Sequence, residues 1–204
     1  MQNQAADLTE QTIINTATEQ FITVGFHNLQ IEQVARIANV PAAIVNTHFE
    51  TKEVLLTACI THFCADLLQM MEEISLDAES VEISLEKIAS VFVDLAFNEK
   101  GIALYRLAIA ECSGIPELAE LAYASGPKMG LQILQSYLES VNQLGIFNIK
   151  DTKFAADVFF SLLKGERHFQ CLLGVQAVPS TEEKQQMITS VVKFYIQGFL
   201  YAVQ

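Results

Sequence analysis

The sequence predicts an all-α fold, and three observations support that prediction. Apolar residues recur at helical spacing along most of the 204 residues, as in the stripe of Ile13, Ala17 and Phe21. Glycine, proline and capping residues separate these stripes, and Ser180 with Glu183 forms the pattern of a capping box. No segment alternates apolar and polar residues as a half-buried strand would. We therefore expect about nine helices and no β-sheet.

The sequence indicates where the first four helices begin or end. The stripe through Phe21 ends at Gly25, and a helix of two turns follows over residues 31–38. The sequence Asn39-Val40-Pro41 interrupts the pattern, and Pro41 suits the first turn of a third, short helix. Thr51 is placed to cap a fourth, longer helix.

Five further helices are expected over residues 80–98, 102–113, 117–144, 152–173 and 181–203. Gly101, Gly114, Gly145 and Gly174 are predicted to mark helix ends, because glycine favours the left-handed conformation that closes a helix. Asp151 is predicted to start the helix that follows it.

Composition and charge exclude several classes of protein. Twenty-four acidic residues against 12 basic ones give a net charge of −12, which argues against a general nucleic-acid binder. The four cysteines show no Cys-x-x-Cys spacing, so we expect free thiols in a reducing compartment. No membrane span and no signal peptide are expected, which predicts a cytoplasmic protein. No phosphate-binding loop, zinc-protease motif or serine-hydrolase motif occurs, so we expect no enzyme, catalytic residue, metal or cofactor.

The last two predicted helices, 152–173 and 181–203, have apolar residues on more than one face. A helix of that kind buries one face inward and another against a second surface. We expect a homodimer with a two-fold interface of four helices, and the alternative is a single thick core without a dimer. Glu166, Arg167 and His168 interrupt the first of these helices, and we interpret them as polar positions that set the register of the interface.

Residues 10–60 have the helix order of a helix-turn-helix domain, in which the third helix enters the major groove. The run over residues 25–56 resembles the N-terminal domain of TetR-family transcriptional regulators. The matching places are Gly25-Phe26, Val34-Ala35, Ala38-Asn39-Val40-Pro41, His48-Phe49 and Lys52-Glu53 with Leu55. Residues 107–138 resemble the ligand-binding region of AefR-like members. The resemblance implies a DNA-binding domain over residues 1–54 and a helical domain for effector binding and dimerisation over residues 55–204.

By the resemblance, the DNA contacts come from the second and third helices and from the start of the fourth. The candidates either carry hydrogen-bonding groups or allow close approach to DNA, and they are Gln30, Gln33, Ala42, Ala43, Asn46, Thr47, His48 and Lys52. The small residues after Pro41 also permit contact with thymine methyl groups.

Several positions depart from the family pattern. Leu29 and Ile44 stand where the family usually has small polar residues, and Asn46 stands where a phosphate-binding tyrosine is frequent. Residues 1–60 contain two basic residues, Arg36 and Lys52, against six acidic ones. Because neutralisation of phosphates supplies much of the affinity for DNA, we expect operator binding that is weak, salt-sensitive or strongly dependent on the dimer.

The resemblance further implies a small-molecule cavity among the C-terminal helices. Its candidate residues are mainly aromatic and aliphatic, and they are Phe63, Leu67, Met70, Phe92, Tyr105, Arg106, Ile109, Tyr123, Met129, Phe159 and Leu163. Such side chains form adaptable apolar pockets, which predicts a hydrophobic effector. Arg106 is predicted either to pair with a carboxylate on another helix or to hold an anionic ligand.

Two functions are compatible with these features of the sequence. The favoured one is a repressor that binds a palindromic operator as a dimer and is released by a small hydrophobic effector. The alternative is a degenerate protein of the same fold that has lost sequence-specific DNA binding and acts as a ligand-binding or protein-binding dimer.

Overall fold

The computed structural model describes residues 2–72, 74, 76–77 and 79–200, and their side chains except those of residues 2–6, 66–68, 70, 72, 199 and 200. The α-helices are α1 (Gln2–Val24), α2 (Ile31–Ala38), α3 (Ala42–His48), α4 (Lys52–Glu72), α5 (Val81–Ala96), α6 (Glu99–Glu111), α7 (Pro116–Tyr123), α8 (Met129–Gln143), α9 (Thr152–Leu173) and α10 (Thr181–Phe194). A π-helical segment, Ala124–Lys128, joins α7 to α8, and another, Tyr195–Leu200, extends α10. The described residues therefore form nine continuous helical segments without a strand, which confirms the predicted fold class. In this part of the chain, each helix is too short or too polar to cross a membrane.

The predicted helix caps are present. The Asp151 carboxylate accepts a hydrogen bond from the Phe154 amide at 2.9 Å, and Thr51 Oγ1 accepts one from the Val54 amide at 3.2 Å. Ser180 and Glu183 satisfy each other's backbone amides in a capping box. These contacts join residues three apart, which is why the sequence alone reveals them.

The prediction that Gly101 ends a helix is wrong. α5 ends at Ala96, and Gly101 lies inside the first turn of α6, where its amide donates to the Asn98 side-chain oxygen at 2.6 Å. A Cβ atom at Gly101 would lie 2.4 Å from the Leu95 carbonyl oxygen. The glycine is therefore needed for close backbone approach between two successive helices, and not for a left-handed cap.

Contacts group the chain into two compact units. The first unit takes in the chain up to Ala65 together with Ala103–Ser125, so it contains α1, α2, α3, most of α4, most of α6, and α7. Its core includes Phe21 and Leu55 from the N-terminal helices and Leu104 and Leu118 from α6 and α7, all at most 2% exposed. The helix-turn-helix segment thus shares its core with helices that come much later in the chain.

The second unit comprises Asp66–Ile102 and the chain from Gly126 onward. Helix α9 packs against α5, α8 and α10, and α5 packs against α10. Its core includes Phe97, Phe159 and Tyr195, which are fully buried. The regular geometry of α9 is interrupted at Gly165, where φ is 48° and ψ is −162°. Glycine adopts this conformation much more readily than other residues do.

The structure corrects the interpretation of the polar run in α9. His168 is buried inside the second unit, where its ring meets the Phe97 ring edge-on at a centroid distance of 5.3 Å. Arg167 donates a hydrogen bond to the Ala177 carbonyl at 3.2 Å and lies 3.9 Å from a Glu183 carboxylate oxygen. Both side chains therefore make contacts within their own subunit, His168 with the end of α5 and Arg167 with the chain that follows α9.

Candidate functional site

The turn between α2 and α3 sets the geometry of the candidate DNA-binding surface. Asn39 adopts the left-handed conformation with φ 55° and ψ 42°, and its amide bonds the Arg36 carbonyl. The Val40 amide donates to the Ala35 carbonyl at 3.0 Å, which completes a Schellman motif. Pro41 then precedes the first residue of α3, where a fixed φ of −59° favours helix initiation. The chain therefore turns sharply from α2 into α3.

Helix α3, which we call the recognition helix, buries one side and exposes the other. Val45 is fully buried, and Phe49, directly after the helix, is 3% exposed. Among the predicted DNA-binding residues, Ala43, Asn46 and Thr47 are exposed, whereas Ala42 and His48 are half-buried. Val45 and Phe49 thus anchor the helix so that its outer face is open to solvent.

The glutamines of α2 have different environments. Gln30 precedes α2 with an exposed side chain that makes no capping hydrogen bond. The Gln33 amide donates to the Gln20 side-chain oxygen of α1 at 2.8 Å. Leu29, which stands where the family usually has a small polar residue, is 3% exposed and packs into the core of the first unit.

Lys52 contacts its own chain. Its ammonium nitrogen lies 3.4 Å from the carbonyl oxygens of both His27 and Leu29, and 4.6 Å from the centroid of the Phe26 ring. These contacts hold the loop before α2, and they direct the Lys52 ammonium group toward carbonyl oxygens of its own chain. Its role in DNA contact stays a prediction.

His48 lies at the C-terminal end of the recognition helix beside an acidic residue of α1. Its Nδ1 atom is 3.6 Å from a Glu10 carboxylate oxygen. Arg36, in the last turn of α2, is exposed. Arg36 therefore adds an exposed positive charge near the recognition helix, and the site prediction omitted it although the charge count named it.

A groove of about 560 Å³ lies in the second unit. Helix α8 contributes one wall, formed by Met129, Gln132, Ile133, Ser136, Tyr137 and Ser140, and the end of α4 with the following loop contributes Met71, Ile74 and Leu76. None of these described lining residues is charged. The Tyr137 hydroxyl donates to the Asp77 carbonyl at 3.0 Å, which ties α8 to the loop at the edge of the groove.

Comparison with known families agrees with this architecture. Residues 13–59 match the model described as bacterial regulatory proteins, tetR family. Residues 84–199, more than half of the chain, match the model described as AefR-like transcriptional repressor, C-terminal domain. The chain belongs to the TetR family. None of the curated proteins matches the sequence.

Solved structures of TetR-family regulators share the fold. A putative TetR-family regulator from Mesorhizobium loti is 20% identical, with a TM-score of 0.76 and coverage of 94% of this chain and 96% of its own. The flavonoid-responsive regulator FrrA is 25% identical, with a TM-score of 0.73 and coverage of 94% and 97%. FadR from Bacillus subtilis, solved with stearoyl-CoA, is 21% identical, with a TM-score of 0.72 and coverage of 93% and 98%. The family and fold are those of transcriptional regulators, and two of these relatives are described with a ligand.

The predicted effector-binding residues of this TetR-family chain are divided between the two units. Phe63, Tyr105, Arg106, Ile109 and Tyr123 belong to the first unit, where the last four are exposed. In the second unit, the groove contains Met129.

The other predicted residues of the second unit either pack in or against its core or have side chains outside the described part of the chain. Phe159 and Leu163 are fully buried. Phe92 is half-buried, and the centroid of its ring lies 4.6 Å from the centroid of the Phe160 ring. The side chains of Leu67 and Met70 lie outside the described residues. Among the described side chains of the predicted residues in this unit, Met129 lines the groove, and the list stays a prediction.

Sequence reasoning overlooked the polar part of the groove. Gln132, Ser136 and Ser140 follow one another at intervals of four along α8, on the same side as Met129 and Ile133. The spacing is visible in the sequence, but the prediction of an apolar cavity did not include these polar residues.

Proposed function

We propose that this TetR-family protein is a repressor that binds a palindromic operator as a dimer and is released by a small hydrophobic effector. The observation that supports the proposal most directly is the α2–α3 turn, which anchors the recognition helix by Val45 and leaves Ala43, Asn46 and Thr47 exposed. A helix held in this way fits the major groove with its outer face toward the bases.

The dimer is supported by apolar surface on α9 and α10. Phe154, Phe169 and Leu173 of α9 expose 54%, 61% and 63% of their surface, and Phe194 of α10 exposes 59%. Large exposed aromatic residues grouped on neighbouring helices are typical of interfaces between subunits. A second copy of the chain would bury them in the four-helix arrangement that the sequence predicts.

The groove on α8 is the proposed effector site. Its apolar wall suits a hydrophobic molecule, while Gln132 and Ser136 offer hydrogen-bonding groups without charge. The lining fits a largely apolar effector, or the apolar chain of an amphipathic one, that also carries hydroxyl or carbonyl groups. Flavonoids and stearoyl-CoA, which the titles of two structural relatives name, are the first ligands to test.

The test is selection of random duplex DNA by the purified protein at low salt, followed by sequencing. An enriched inverted repeat supports the proposal, and failure of a folded protein to enrich any sequence contradicts it. Ala43→Asp, on the exposed face of the recognition helix, should abolish enrichment by placing a carboxylate against the DNA. Ala119→Asp on α7 is the matched control, because this alanine is also exposed in the first unit.

Release by the effector is tested on the selected operator. A flavonoid panel or stearoyl-CoA should lower the affinity of the protein for the operator, and Ser136→Phe should remove that response by filling the groove. Ser113→Phe, at an exposed position between α6 and α7, is the control. If Ser136→Phe leaves the response intact, the effector binds elsewhere.

The alternative is a protein of this fold that no longer reads DNA. It is favoured by the contacts of Lys52 with carbonyl oxygens and of His48 with Glu10, since these contacts engage both side chains within the chain. Restoring family-like residues through Ile44→Thr with Asn46→Tyr separates the two functions. Strong operator binding gained only by the double variant favours the alternative, and operator binding by the native chain excludes it.

A further inference from the structure

Part of the exposed face of the recognition helix, formed by Ala43, Ile44 and Thr47, presents apolar groups. Ile44 exposes 39% of its surface, and Ala43 beside it is also exposed. The Thr47 hydroxyl donates to the Ala43 carbonyl one turn earlier, at 2.7 Å. Because that hydrogen bond turns the hydroxyl back to the helix, Thr47 offers its methyl group to the surroundings. Three adjacent residues thus present hydrocarbon where the helix would meet DNA.

The same face lacks the residues that usually recognise guanine. Arginine and lysine read guanine through its O6 and N7 atoms, and residues 42–48 contain neither. Alanine, the threonine methyl group and other apolar groups instead contact the 5-methyl group of thymine. Asn46, exposed on the same helix, carries a side-chain amide, and such amides pair with adenine.

We propose that the recognition helix selects half-sites rich in A·T pairs and recognises thymine by its 5-methyl group through Ala43, Ile44 and Thr47. The inference rests on the proposed operator binding and specifies the DNA that is bound. Since the local cations are few, contacts with the base edges supply most of the discrimination between sequences.

The experiment has two steps. Selection from random duplex DNA at low salt first gives the operator, and the composition of its half-sites is counted. Each thymine of a half-site is then replaced by deoxyuridine, which removes the methyl group and keeps the hydrogen bonds. For a thymine under the recognition helix, we expect about fourfold weaker binding per methyl group, the effect of burying one such group.

Two variants test whether the loss of affinity on uracil replacement depends on the recognition helix. Ile44→Ala should reduce the effect of the uracil replacement at one thymine of each half-site, because the contact is already gone. Ile83→Ala on α5 is the matched control, since this isoleucine is exposed by 55% in the second unit, and it should keep the full effect. Equal melting temperatures of the two variants and the native protein show that both are folded.

The outcomes separate this inference from the proposed function. A·T-rich half-sites with uracil sensitivity that depends on Ile44 support it. An enriched repeat whose half-sites are mainly G·C, or thymines that tolerate uracil, overturns the inference and leaves operator binding in place. Absence of any enriched sequence overturns the proposed function, and the inference with it.

Discussion

Glu10 places a carboxylate 3.6 Å from the His48 imidazole, at the end of the recognition helix. A negative charge there repels phosphates and competes with them for His48. Glu10→Gln should therefore tighten operator binding at low salt by about two- to fivefold, the range of an exposed ion pair, and less at high salt. The measurement is a titration of operator DNA followed by fluorescence anisotropy.

Glu79→Gln controls for the change in net charge, because Glu79 is exposed in the second unit. This variant should bind DNA like the native protein. If Glu10→Gln weakens binding instead, the carboxylate serves to orient His48 toward the DNA.

His168 makes the stability of the fold dependent on pH. The pKa of His168 is lowered to about 4, chiefly by burial and also by the charge of Lys164, while a hydrogen bond with the Ala96 backbone opposes both. The unfolded chain, with an ordinary pKa near 6.5, therefore binds a proton that the folded chain excludes. The stabilising contribution is complete above pH 6.5 and is lost as the pH falls toward 4, by roughly 3 kcal/mol.

Urea denaturation at fixed protein concentration between pH 7 and pH 4.5 measures this loss. His168→Gln should flatten the profile in that range, because the titrating group is gone. A profile unchanged by the substitution would assign the pH dependence to other groups.

Where α5 meets α6, the geometry depends on one glycine. A Cβ atom at Gly101 would lie 2.4 Å from the Leu95 carbonyl oxygen, whereas one at Gly114 would lie 3.6 Å from its neighbour, the Glu111 carbonyl oxygen. Gly101→Ala should lower the free energy of unfolding by about 1–3 kcal/mol, since the helices must separate to admit the methyl group. Gly114→Ala, the matched control, should change it much less. Chemical denaturation of both variants checks the difference, and equal losses would contradict it.

Helix type and helix caps were predictable, whereas the faces that the helices bury were not. The caps at Asp151 and Ser180 join residues three apart and follow from local geometry. Helix α9 has apolar residues around much of its circumference, so its periodicity does not distinguish the buried Phe159 from the exposed Phe169. That choice depends on α5, α8 and α10, which pack against it from distant parts of the sequence.

At the scale of the whole molecule, the proposed operator binding requires the proposed dimer. Two recognition helices can read half-sites about 34–36 Å apart only if the subunits stay together. Phe169→Glu puts a charge on the exposed apolar face of α9, so it should give a monomer in analytical ultracentrifugation and abolish operator binding. Ile83→Glu, at another exposed apolar position, should do neither. A Phe169→Glu variant that remains dimeric would place the interface elsewhere.

The sequence by itself determined the helical fold, the limits of most helices and the helix-turn-helix motif, because these depend on residues within a turn or two of each other. It also supported membership of the TetR family, which the family models confirm. Only the tertiary structure decided that Lys52 bonds the carbonyls of His27 and Leu29, and that His168 is buried against Phe97. Such contacts join residues 20 or more positions apart, and the free energy of packing selects them from many pairings that the sequence pattern allows equally.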